Sequence, residues 1–241
     1  MSNPIDIELE KLAQLQEELA KKVILPAPEQ EMYLPQQNDI LLTLDIQYVE
    51  EKAFVAGDWQ YLNGQHITTQ VDICKVGLAY FPAYFCFREG PPLLEFLQKA
   101  IQAGLPTPNV IIVDGHGQAH PRKFGVASWL GVYSDLPCVG CAKDTLVWYQ
   151  KELLSNEKNS IVPIKLPNET EIIGYALRSQ TNVKPIFVSN AHKISLAQSL
   201  TIIQNVIGQY RIPLPLRRAD FACRRASQTG KSDKEWKFLF D

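Results

Sequence analysis

The chain has 241 residues, is 46% hydrophobic and carries a formal charge of −2 at pH 7. That is enough apolar material for one full core and too little length for a second, so a single domain over 1–241 is expected. No run approaches the ~18 apolar residues of a membrane helix, and MSNPIDIELEKLAQLQEELAKK is acidic where a secretory signal carries positive charge; a cytoplasmic protein without membrane contact is the expectation.

Taken in chain order, residues 6–23 read as an amphipathic helix, with Ile7, Leu12, Leu15, Leu19 and Val23 on one stripe. NDILLTLDIQYV, KAFVAGDWQY and ITTQVDICKVG follow as strands separated by short polar turns, the pattern of an antiparallel meander. AYFPAYFCFREGPP is an aromatic loop whose proline pair opens a helix over 92–103. The rhythm then changes. VIIVDG, LPCVGCAK and IFVSNA are short apolar strands, FGVASWLGVYS and ISLAQSLTIIQNVIGQY are helices, and IVPIKL with TEIIGYALRS makes a hairpin. Strands alternating with helices predict parallel pairing. The fold class is therefore α/β: a mixed sheet with antiparallel first strands, then parallel strands, and helices on both faces.

Charge and cysteine add less. Residues 1–31 hold seven acids and three bases, whereas 217–237 hold seven bases and three acids. The basic C-terminal segment at about 217–241 suits a phosphate backbone or a solvated end equally well. Five cysteines do not suggest a disulfide scaffold. Cys138 and Cys141 have the spacing of a zinc or redox pair, but no second pair completes a metal site and LPCVGCA reads as a buried strand, so neither chemistry is expected.

Carboxylates carry the stronger signal. Asp45 interrupts an apolar strand, and Asp114 ends a parallel strand, where open sheets place ligands. If both reach one end of the sheet they repel unless a cation lies between them, and oxygen ligands select Mg²⁺ or Mn²⁺ rather than zinc. Glu89 is a third acid, explained as well by the dipole of the helix it precedes. Gly115 and Gly117 flank His116 and let the backbone turn sharply and approach a ligand closely. His120 lies in the same loop, where a surface position accounts for it equally well. His192 follows another strand and is placed at the same rim. Lys143 ends a strand there, positioned to meet phosphate as a point charge or to snorkel to solvent. Arg122 and Lys123 are candidate phosphate contacts. Together these residues fit metal-assisted phosphodiester hydrolysis.

DGHGQAHPRKFGVASWLG, the aspartate in LLTLDIQYV, FRE after an aromatic loop, VGCAK, LRS with a later Pro185, and AHKIS occur in the order seen in endonuclease V. The chain resembles that family over about residues 10–225. The resemblance implies a ribonuclease H-like fold and an Mg²⁺-dependent endonuclease, with Mn²⁺ able to substitute. Such an enzyme cleaves the second phosphodiester bond 3′ to deoxyinosine in DNA. It further implies that Asp45, Glu89 and Asp114 bind the metal, that Lys143 and His192 complete the active site, and that Tyr80, Phe81 and Pro82 form a strand-separating wedge. Departures from the family pattern are Thr43, Ala79, Ala83, Asp144, Trp148 and Ala191, which add bulk or negative charge near the expected nucleic acid. An inosine-specific endoribonuclease, or a nucleic-acid-binding homologue with altered catalysis, are the other readings. Monomeric action is expected.

Overall fold

The computed structural model describes residues 4–27, 33–76, 78, 79 and 81–232. Eight strands form one sheet: β1 (Ile40–Val49), β2 (Lys52–Tyr61), β3 (His66–Lys75), β4 (Val110–Val113), β5 (Cys138–Ala142), β6 (Ile161–Ile164), β7 (Gly174–Leu177) and β8 (Ile186–His192). Their order across the sheet is β3-β2-β1-β4-β5-β8-β7-β6. The meander β1–β3 is antiparallel, and β1, β4 and β5 run parallel at the centre. The mixed fold class is as the sequence predicts.

One pairing differs. β8 runs antiparallel to both β5 and β7. A parallel neighbour needs a crossover of a dozen or more residues, usually helical. The chain between β5 and β8 has no crossover helix and holds the β6–β7 hairpin and one short 3₁₀ turn; β8 then follows β7 after only the short link 178–185, too few residues for a parallel crossover. Strand polarity decides which end of the sheet each loop reaches, so this reversal bears directly on the site.

The helices are α1 (Pro4–Ala20), α2 (Phe85–Gln102), α3 (Val126–Ser134), α4 (Leu196–Val206) and α5 (Leu214–Thr229). Side chains alternate across each strand. Leu42, Leu44 and Val113 accordingly pack with the residues of α2 and α3, while Leu41, Ile112 and Val139 pack with those of α4. α5 covers β1 and β2 on that second face through Ala219, Ala222, Cys223 and Ala226. On α1, Gln16 and Leu19 are buried and Leu15 is exposed, so the inward stripe is rotated from the one expected. Gln16 is held inside because its amide donates to the Phe124 carbonyl at 2.6 Å and accepts from Arg122. α2 begins seven residues before the expected start, with Pro91 and Pro92 inside it. Its first turns are anchored by buried Cys86 and by Gly90, whose missing Cβ leaves room for the Trp129 ring.

Among the described residues no helix is long and apolar enough to cross a membrane. Cys138 and Cys141 are buried in separate apolar clusters on opposite faces of the sheet and are free thiols. Burial raises both pKa values above the ordinary thiol range, consistent with packed hydrophobes.

Candidate active site

The parallel centre of the sheet builds the site. Ile112 and Val139 face the α4 and α5 side, so the two-residue repeat carries Asp114 and Lys143 onto that face as their strands end. Asp45 shares it with Leu41 and Thr43. The Asp114 amide donates to the Leu44 carbonyl at 3.0 Å, which sets Asp114 directly beside Asp45. α2 brings Glu89 to the same end. All four residues line a cleft of about 340 Å³, with Gly115, His116 and His120 in its wall.

Its electrostatics are those of a crowded acidic pocket. Burial, then the charge of Asp114, push the Asp45 carboxyl well above the ordinary carboxylate range. Burial and Asp114 likewise raise Glu89 to about 8, while Arg88 opposes the shift. Lys143 supplies the nearest positive charge: its Nζ lies 2.5 Å from Asp114 Oδ2 and 3.3 Å from Asp220 Oδ1. Burial works against that ammonium, yet Asp114 and Asp45 outweigh it and hold its pKa above the ordinary lysine value. Among the described residues no three His, Cys, Asp or Glu side chains are gathered closely enough to hold a metal ion. The donor chemistry still fits a hard cation, since buried Asp45 and half-buried Glu89 and Asp114 offer only oxygens and their carboxylates repel one another.

Asp220 is a residue that sequence reasoning missed. It sits on α5 and lines the cleft with Arg224, whose Nε is 3.0 Å from its Oδ2. The segment read only as basic, yet Leu216, Ala219, Cys223 and Ala226 recur at helical spacing. That periodicity was the available signal for a helix lying on the sheet.

His192 is not in the cleft. It pairs with Cys138 at the start of β5, the opposite end from Asp114, because β8 is antiparallel. Its Nδ1 accepts from the Ile24 amide at 3.2 Å, and its Nε2 stands 3.6 Å from an Asp135 carboxylate oxygen. Burial lowers its pKa. These contacts make it a tether between β8 and the segment after α1.

Arg122 and Lys123 also depart from expectation, since both are engaged within the protein. Arg122 donates to Gln16 at 2.6 Å and to the Ala83 carbonyl at 3.0 Å, and its guanidinium lies 4.4 Å from the Tyr84 ring centroid. Lys123 Nζ is 2.7 Å from both Glu169 and Glu171. His120 Nε2 approaches the same Ala83 carbonyl at 3.1 Å, so two side chains hold that loop from beneath. Ala83 itself has φ 65°. Of the expected wedge, Phe81 is half-buried and Pro82 exposed, while Tyr80 lies outside the described residues.

Gly115 and Gly117 have no left-handed backbone, so the sharp turn first read into them is not what requires glycine. Close packing requires it: a Cβ at Gly117 would collide with the Asn190 carbonyl, and one at Gly115 with Val126. His116 is pressed into the wall, and burial lowers its pKa to about 4. Its Nδ1 has no hydrogen-bond partner among the described residues. Thr43 is buried, Ala191 is buried in extended β8, and Ala79 and Asp144 are exposed.

A ribonuclease H-like mixed sheet with an acidic cleft at the ends of its parallel strands defines the class of this protein. Comparison narrows it. The chain matches the family described as Endonuclease V over residues 17–221. It is 36% identical over 217 residues to an endonuclease V of Dictyoglomus turgidum, covering 90% of each chain. The crystal structure of endonuclease V from Streptomyces avermitilis superposes with a TM-score of 0.77 at 32% identity, over 92% of this chain and 93% of that one. Endonuclease V of Ciona intestinalis, crystallised with a 24mer DNA containing an inosine followed by a ribo-adenosine, gives 0.81 at 25% identity, over 93% and 99%. This chain belongs to the endonuclease V family.

Proposed function

We propose that the protein is an Mg²⁺-dependent endonuclease that hydrolyses the second phosphodiester bond 3′ to deoxyinosine in DNA and acts as a monomer. The observation that carries this reading is the meeting of Asp45, Glu89 and Asp114 with Lys143 at one end of the sheet, in a family whose Ciona intestinalis member holds inosine-containing DNA. Asp45, Glu89 and Asp114 would hold Mg²⁺, or Mn²⁺ in its place, and when bound the cation supplies screening of the charge that develops on the phosphate. Lys143 is released from Asp114 as that charge is met and offers its ammonium to a phosphate oxygen. His116, half-buried and kept neutral by its lowered pKa, leaves its wall of the cleft free of charge, which suits an uncharged base. The Phe81–Pro82 turn, pinned beneath by His120 and Arg122 through Ala83, is the rigid element that enters a weakened base step.

Incubation of purified protein with a single-inosine duplex and Mg²⁺ tests the reading. Cleavage one bond beyond the lesion's 3′ neighbour is expected, and no cleavage with Mg²⁺ or Mn²⁺ beside an active control refutes it. Inosine-containing RNA is the second reading, favoured by the ribo-adenosine that follows inosine in the Ciona intestinalis complex. Matched DNA and RNA substrates, compared by rate, decide between them. Binding without turnover would mark a homologue with altered catalysis.

A further inference from the structure

We infer that Trp148 is a stacking platform for an unpaired nucleobase adjoining the one that the cleft takes; this rests on the nucleic-acid reading above. Among the described residues Trp148 is the most exposed of the large apolar side chains, at 72%. Its indole has no ring or hydrogen-bond partner among the described residues. It lies on the segment that leaves β5 at Lys143, and Thr145 and Leu146 of that segment line the cleft. Two residues of chain span at most about 7 Å, so the backbone that carries the indole lies within that distance of cleft-lining Leu146. Leu146 itself is 42% exposed, which extends the apolar surface from cleft to indole.

An indole left in water at this place has a flat, polarisable face and no protein surface to cover. Every nucleobase offers a matching face, and stacking on an aromatic ring tolerates any sequence. A paired base keeps its face within the duplex, so the platform serves a strand opened next to the lesion.

The platform touches no reacting atom, so its loss is read in KM and not in kcat. Trp148→Leu keeps apolar bulk without the flat face, and Trp148→Phe restores a ring. On a single-stranded inosine oligonucleotide with Mg²⁺, Trp148→Leu is expected to raise KM roughly 5- to 150-fold, the span of base–aromatic stacking, with kcat within about 2-fold. Trp148→Phe is expected to recover most of the loss.

A second measurement does not depend on turnover. In a Trp236→Phe background, intrinsic fluorescence is followed while the oligonucleotide is added with Ca²⁺ in place of Mg²⁺. Trp59 and Trp129 are buried, so quenching that vanishes on Trp148→Phe supports the platform. A KM unchanged in Trp148→Leu while the parent cleaves inosine DNA overturns the platform alone. A parent that neither binds nor cleaves inosine DNA or RNA removes the functional reading, and the platform with it. Red-edge emission that shifts with protein concentration in the absence of nucleic acid assigns the indole to self-association and also overturns it.

Discussion

Arg218 on α5 grips Asp58 on β2 through two 2.8 Å hydrogen bonds, Nε to Oδ2 and Nη2 to Oδ1, with Asp58 fully sealed from solvent. Gln60 accepts from the same guanidinium, and Thr69 Oγ1 donates to Asp58 at 2.6 Å. The pair pins α5 two residues before Asp220. Asp58→Ala would leave a buried guanidinium without its carboxylate, a loss of about 3–5 kcal/mol. Urea unfolding measures it. Replacing both partners by apolar residues of similar volume is expected to recover much of the loss, and a single-site cost below about 1 kcal/mol would contradict the buried geometry.

Asp45 illustrates the opposite balance. Its carboxylate is buried beside Asp114, and a neutral amide of the same shape removes that repulsion. Asp45→Asn is expected to abolish metal-dependent cleavage while leaving the metal-free protein as stable as the parent or more so, by about 1 kcal/mol. Thermal unfolding in EDTA and the cleavage assay, run on the same preparation, test both halves. A marked fall in melting temperature would show that the carboxylate supports the fold.

Lys143 is the acids' counter-ion in the structure. Lys143→Met is therefore expected to lower the melting temperature in EDTA and to enlarge the rise produced by Mg²⁺, because the cation then meets more unbalanced charge. Cleavage at saturating Mg²⁺ should fall by roughly 10²-fold, as for loss of one stabilising donor at a developing charge. An unchanged Mg²⁺-induced shift would separate Lys143 from the cation's site.

Ala83 carries a left-handed backbone at φ 65°, which costs an L-residue about 1–2 kcal/mol. Glycine removes that strain but makes the unfolded chain more flexible, at a cost of about 0.4–1 kcal/mol. Ala83→Gly is expected to raise stability by a few tenths to about 1 kcal/mol, read from denaturant midpoints. A lower midpoint would mean that the methyl group itself packs usefully.

His120 gives the stability a pH dependence. Burial, then the charge of Arg122, lower its pKa to about 3. The unfolded chain takes up this proton below about pH 6.5, whereas the folded ring stays neutral and holds Ala83. Its contribution is therefore complete above about pH 6.5 and is lost as pH falls toward 3. At about pH 5 the loss is on the order of 1–2 kcal/mol. His120→Gln is expected to flatten the melting curve between about pH 7 and pH 5 by that amount. Equal acid sensitivity in the variant would place the effect in other groups.

Local pattern determined much of this protein. Alternation and periodicity located the meander, the apolar central strands and most helices, because burial of one face writes itself into a period of two or 3.6 residues. Asp45, Asp114 and Lys143 were legible because polar residues at the ends of apolar strands break that period. The tertiary structure decided what depends on direction and on distant partners. The polarity of β8 sent His192 to the far end of the sheet, a result set by the short link from β7 to β8 and not by the strand's own composition. The sign of Arg122 and Lys123 was plain, but their engagement with Gln16, Ala83, Glu169 and Glu171 arises between segments far apart in the chain. Asp220 joined the cleft only because α5 folds back across β1 and β2, where the buried Arg218–Asp58 pair fixes a helix that charge alone described as a basic end.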